Sequence, residues 1–253
     1  MRIEQLVASP CSCPKTGLEQ CLKDFSAIGY RKFELFTEWA ESRVDIDSPV
    51  AQYLELGRKY GMQFTSMHLP AIAEDLDAGV GRAIKAAKFA GQLGVKAVIY
   101  KAKTRELYIS GAKKFLDGIE GAGVTAVLQN HKGTPITTID DYRAVIEGIN
   151  DKRMKTLLEV GMFHSVGVKW KEGYDLLKGS IALVHIKDQI GEERVPFGEG
   201  EVDFKGLFAQ LEADKYPGEL VVEMEVCRDD YAKTIKLLED ARKLCEKIIK
   251  EMK

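Results

Sequence analysis

Short runs of β-branched and other apolar residues alternate along the whole chain with longer segments whose apolar residues recur every three to four positions. The β-type runs are residues 3–9 (IEQLVAS), 32–36 (KFELF), 63–68 (QFTSMH), 96–100 (KAVIY), 125–130 (TAVLQN), 155–160 (KTLLEV), 181–186 (IALVHI) and 219–225 (ELVVEME). Between them, residues 18–29, 50–61 and 80–94 carry helical spacing, and each segment closes on a glycine suited to a left-handed helix end leading into the next strand. Helical patterns recur at 108–122, 139–149, 172–178 and 204–213, the last with Asp203 placed to cap its first turn. An amphipathic helix with a lysine-rich solvated face is predicted over 231–253. No Pro/Ser-rich linker interrupts the alternation, so residues 1–253 are predicted to form a single α/β domain. Eight strands followed by helices is the pattern of a single (β/α)8 (TIM) barrel, a fold of about 250 residues.

An open, doubly wound sheet alternates strands and helices in the same way, but it carries phosphate-binding loops that this chain lacks. No GxGxxG follows the first strand, where the sequence reads SPCSCPKTG, and no GxxxxGK[ST] occurs. A net charge of -2 gives no electrostatic footprint for a nucleic-acid partner. No stretch approaches the ~18 apolar residues of a membrane span, and the N-terminus lacks a signal-peptide pattern, so a cytoplasmic protein is expected. The five cysteines make an odd count without paired CxxC motifs, as expected of reduced thiols. Cys11 and Cys13 share a facing in PCSCP, but a lone CxC is a nonspecific metal signal.

The chemistry is concentrated where β-type runs give way to polar loops, which in a parallel barrel is the face that builds the active site. All four histidines lie there: His68, His131, His164 and His185. Strand alternation puts His185 and Lys187 on one side and Ile186 on the other. Glu223 interrupts an apolar strand, where a carboxylate is costly unless paired or bound to a cation. Glu225 shares its facing further out. Glu159 and Gln129 end their runs in the same manner, Gln129 offering an amide oxygen without charge or base character. Glu34, His68, His131 and Lys101 would line the mouth of a closed barrel as a polar pocket. Together these donors point to a mononuclear metal site. The glycines of VPFGEGEVDF precede a helix start, where free backbone N–H groups suit either a phosphate or sugar oxygen or a tight turn.

The segments LQNHKG (128–133), LEVGMFHSVG (158–167), VHIKD (184–188), FGEGEVDF (197–204) and YPGELVVEME (216–225) resemble, in order, the sugar isomerase/epimerase group of the xylose isomerase-like TIM barrels. GYRKFELF, MHLPA and LGVKAVIY extend the resemblance into the N-terminal half. The resemblance implies a divalent metal held at Gln129, Glu159, His185 and Glu223, positions where the family usually has Glu, Asp, His and Glu. Glu159 keeps the charge on a longer side chain, Gln129 loses one, and Met162 stands in place of the family's first strand-6 histidine, leaving His164. A mostly hard donor set favours Mn, Mg or Co over Zn, weakly held because Gln129 is neutral. The implied activity is isomerisation or epimerisation of a small carbohydrate by proton abstraction next to a carbonyl. Glu223 would be the base, His131, His164 or Lys101 the acid, and Glu34, His68 and Lys187 would bind substrate. Inosose-type dehydration, or carbohydrate binding without catalysis, are the alternatives. A homo-oligomer is compatible with the sequence. A DNA-repair role would need a histidine-rich three-zinc cluster that four histidines do not supply.

Overall fold

In the computed structural model, which describes residues 1–252, the eight expected runs become eight parallel strands closed into a barrel. β1 (Leu6–Ala8), β2 (Lys32–Phe36), β3 (Gln63–His68), β4 (Ala97–Ile99), β5 (Thr125–Gln129), β6 (Lys155–Glu159) and β7 (Ile181–Ile186) follow one another around the wall. β8 (Asp188–Ile190) and β9 (Glu193–Val195) form a separate antiparallel hairpin. β10 (Glu219–Val222) then closes the barrel by pairing with β7 on one side and β1 on the other.

The helices are α1 (Leu18–Ala27), α2 (Val50–Tyr60), α3 (Leu76–Gln92), α4 (Arg105–Gly118), α5 (Ile139–Ile149), α6 (Val160–His164), α7 (Trp170–Leu177), α8 (Phe204–Ala213) and α9 (Tyr231–Glu251). Residue 253, the last position expected in α9, lies outside the described residues. Gly29, Gly61 and Gly94 take φ of 97°, 61° and 83°, the left-handed conformation expected where α1, α2 and α3 return the chain to the barrel. Asp203 caps α8 as expected, accepting from Gly206 N at 2.9 Å.

Differences from the expected boundaries have local causes. Residues 3–5 form a 3-10 turn because the Gln5 side chain accepts from Arg2 N (2.8 Å) and donates to the Gly218 carbonyl (2.6 Å), closing the barrel floor with polar contacts. β10 stops at Val222 because Met224 N donates to Ser12 Oγ (3.0 Å) in place of a strand neighbour. α3 and α4 begin earlier than their apolar periodicity, at caps supplied by Asp75 and Thr104.

Alternation divides the strand residues between two cores. Outward residues such as Val98, Leu128, Leu158, Val184 and Leu220 join the large core beneath the helices. Val7, Ala97, Ile99, Val127, Leu157, Leu183 and Val221 form a separate apolar cluster that fills the barrel interior. This plug is the floor on which the polar residues stand. No helix among the described residues is long and apolar enough to cross a membrane.

Candidate active site

On five of the strands the polar groups of the interior lie two or four residues beyond a residue of the plug, on the same strand face. Leu157 is followed by Glu159, Leu183 by His185 and Lys187, and Val221 by Glu223 and Glu225. In the same way Val127 leads to Gln129 and His131, and Ile99 to Lys101 and Lys103. The barrel therefore delivers its polar side chains to the C-terminal end as a direct consequence of strand periodicity.

His185 is fully buried at the centre. Its Nδ1 lies 3.3 Å from Glu223 Oε1 and 3.5 Å from Glu159 Oε2, while Nε2 lies 3.0 Å from Glu34 Oε1. Glu34 is held by hydroxyls that the sequence did not single out, accepting from Ser66 Oγ and Ser9 Oγ, each at 2.9 Å. Its second oxygen stands 3.5 Å from His68 Nε2, and the His68 ring stacks on Phe36 with centroids 4.1 Å apart. Glu34 was expected at the mouth. It is instead completely buried and braces His185 and His68 from below, since a carboxylate with two hydroxyl donors and two imidazoles needs no water.

Lys187 is buried beside this group. Its Nζ lies 2.6 Å from Glu223 Oε2, 2.9 Å from Glu225 Oε2 and 3.7 Å from Glu159 Oε2. Glu225 is also held by Arg194 Nε at 2.7 Å and by Arg228. The aliphatic stem of Lys187 needs Gly161: a Cβ there would stand 2.1 Å from Lys187 Cγ. That glycine sits in α6, a single turn capped by Glu159, which accepts from Gly161 N at 3.2 Å.

Above these residues opens a cleft of about 550 Å³. Gln129, His131, Lys101, His68, Lys187 and Glu223 line it. His164 does not; its Nε2 pairs with Glu201 at 3.0 Å, away from the cleft wall. The His131 Nδ1 lies 2.8 Å from the Lys132 carbonyl, so that nitrogen carries the ring proton in the neutral form and leaves Nε2 free. The glycine-rich loop after β9 has its N–H groups taken by an internal anion: Asp188 accepts from Gly198 N (2.8 Å), Gly200 N (3.0 Å) and Val202 N (3.3 Å). Of the two readings of that loop, the tight turn is the one found.

The charges are strongly coupled. Burial resists ionisation of Glu34, but the imidazoles of His185 and His68 hold its carboxyl well below the usual range. Burial likewise opposes charge on Glu223, yet Lys187 and His185 keep it well below that range. Glu159 goes the other way, pushed up to about 7 by burial and by the Glu223 carboxylate. Burial works against His185 and Lys187 as cations, but Glu34 and Glu223 hold the imidazole, and Glu159, Glu223 and Glu225 the ammonium, well above their ordinary values. His131 is pushed down by burial and by Lys187.

This donor set fits a divalent cation. Glu159, His185 and Glu223 each offer a ligand atom within 4.8 Å of the others. The buried atoms Glu159 Oε2 and His185 Nδ1 have no hydrogen bond of good alignment, so the group lacks part of the coordination that buried polar atoms require. Lys187 supplies one positive charge to the same carboxylates from the side.

A family model described as xylose isomerase-like TIM barrel matches residues 22–246. Inosose dehydratase of Geobacillus thermodenitrificans is 26% identical over 149 residues, 51% of this chain and only 50% of that protein's length. L-ribulose-5-phosphate 3-epimerase of Shigella flexneri serotype 5b is 26% identical over 219 residues, covering 77% of this chain and 75% of the epimerase. The solved structure of the IolI protein with a bound zinc atom shares the fold, with a TM-score of 0.69 at 20% identity over 96% of each chain.

Proposed function

The chain belongs to the xylose isomerase-like TIM barrel family, and on that premise we propose that it is a metal-dependent isomerase of a small carbohydrate, moving a proton at a carbon next to a carbonyl. The observation that carries this reading is the convergence of Glu159, His185 and Glu223, with unsatisfied atoms on Glu159 and His185, beneath an open polar cleft.

A divalent cation held by Glu159, His185 and Glu223, with Gln129 offering its amide oxygen from β5, would polarise a substrate carbonyl and acidify the adjacent C–H. Mn, Mg or Co suits this oxygen-rich set. Glu223 is the base. Its carboxyl is held ionised by Lys187 and His185, it borders the cleft, and its Oε1 faces the imidazole while Oε2 lies on the Lys187 side. His131, with Nε2 free in the cleft wall, is the group that handles the proton on the other side. Lys187 balances the developing negative charge next to the base. Gln129 cannot accept or donate a proton in the manner of a second carboxylate, so one-base isomerisation is favoured over two-base epimerisation.

Dehydration of an inosose-type polyol ketone is the second reading, supported by the match to inosose dehydratase. It begins with removal of the same kind of proton and ends with loss of a β-hydroxyl. The test is a proton NMR screen in D2O with free ketoses, inososes and ketose phosphates in the presence of Mn, Mg or Co. Solvent deuterium should enter the carbon next to the carbonyl of at least one substrate, and Glu223→Gln should lower kcat/KM by at least ~10². Exchange that survives Glu223→Gln would remove Glu223 from the role of base.

A further inference from the structure

The cleft carries a surplus of positive charge whose placement is specific. On one wall Lys187, Arg194 and Arg228 all turn onto the single carboxylate of Glu225. On the other wall stand Lys101 and Lys103, and among the described residues neither ammonium group has a hydrogen bond or an ion pair. Glu38 is the carboxylate of that wall, exposed and beyond ion-pair reach of both. The whole chain has a net charge of -2, so this concentration of cations is local.

The backbone fixes the two lysines as a pair. Ile72 forms a parallel bridge with Ala102, continuing the β3–β4 pairing past the ends of both strands. Ile72 N donates to the Lys101 carbonyl and Lys103 N donates to the Ile72 carbonyl, each at 2.9 Å. Extended backbone there turns Ala102 into the protein and both lysines to the opposite side, about 6.6 Å apart along the chain. Lys101 is half-buried and burial pushes its ammonium down; the carboxylates of Glu38 and Glu34 act against this from a distance and Lys103 acts with it, and the net direction is down. Two neighbouring ammonium groups, one partly desolvated and neither in contact with a carboxylate, are stabilised when a ligand supplies the anion.

We propose that the substrate carries an anionic group, a phosphate ester or a carboxylate, and that Lys101 and Lys103 bind it. The inference rests on the reading of this cleft as a carbohydrate site, and it gives Lys101 a binding role in place of the proton-donor role the sequence suggested. The shared chemistry is an oxyanion held by two charge-assisted hydrogen bonds, at the opposite wall from Glu225.

Calorimetric titration of the whole chain with inorganic phosphate, D-fructose 6-phosphate, D-glucuronate and D-fructose tests it. At least one of the two sugar anions should bind at least about tenfold more tightly than fructose, with an affinity that falls as sodium chloride is raised. Lys103→Ala should lose about tenfold for the anion and leave fructose unchanged, Lys101→Arg should retain most of the affinity, and the double variant K101A/K103A should bind sugar anions no better than fructose. Fructose bound as tightly as both anionic sugars, discrimination that survives in the double variant, or no binding of any of the four probes at millimolar concentration would each overturn the proposal. Deuterium exchange reports on the catalytic reading separately: selective, lysine-dependent binding without exchange supports the anion site and counts against the isomerase.

Discussion

At the residue scale the largest electrostatic demand falls on Lys187, a buried ammonium whose neighbours are Glu159, Glu223 and Glu225. Removing one member of a buried ion network leaves uncompensated charge, so Lys187→Met should cost about 3–5 kcal/mol in urea unfolding, and added MnCl2 should restore part of it. Cation binding should also depend on pH with a definite sign. Glu159 is pushed up to about 7 and His185 is held protonated, so coordination through both must release protons. Apparent Mn affinity should rise with pH between 6 and 8, by up to about tenfold per unit for each proton released, in titrations at fixed ionic strength. Much of this centre is legible in the sequence, because period-two alternation puts His185 with Lys187 and Glu223 with Glu225. Glu34 is not. That it braces His185 depends on Ser9, Ser66 and His68 from two other strands, contacts that no local pattern carries.

At the scale of elements, Asp188 connects the site strand to the loop that follows the β8–β9 hairpin. Its carboxylate gathers N–H groups from Gly198, Gly200 and Val202, and a Cβ at Gly200 would stand 2.1 Å from Asp188 Oδ1. Asp188→Ala should leave those donors unsatisfied, lower stability by about 2–4 kcal/mol and make residues 196–202 the first point of cleavage in limited proteolysis. Cleavage unchanged from the parent chain would contradict this account of the loop. The glycines of this loop were visible in the sequence, but the anion they serve was not, because it lies in a different element. The hairpin and α6 escape sequence reading for another reason: three-residue strands and a five-residue helix are too short to show a period. The early starts of α3 and α4 lie in first turns that carry a single leucine each, Leu76 and Leu107, too few to show a period, and the caps Asp75 and Thr104 are the clearer signal.

At the scale of the whole molecule, closure of the sheet turns a list of strand-end residues into a site. Eight strands were readable from the sequence, yet the alternation is shared with open sheets, and only the missing phosphate loops argued for a barrel. Pairing of β1 with both β2 and β10 closes the ring, and the apolar plug within it raises Glu159, His185 and Glu223 to one level beneath the cleft. A ligand that binds only this assembled state stabilises it, by about 2.7 kcal/mol at a hundredfold excess over its Kd. The most direct test of the central claim is therefore calorimetric titration of the metal-free chain with Mn at pH 7.5, alongside Glu223→Gln and Gln129→Glu. The account predicts one Mn bound per chain, at least about tenfold weaker in Glu223→Gln and tighter in Gln129→Glu, where a fourth charged ligand replaces the amide. No binding at millimolar Mn, or an affinity unchanged by Glu223→Gln, would contradict it.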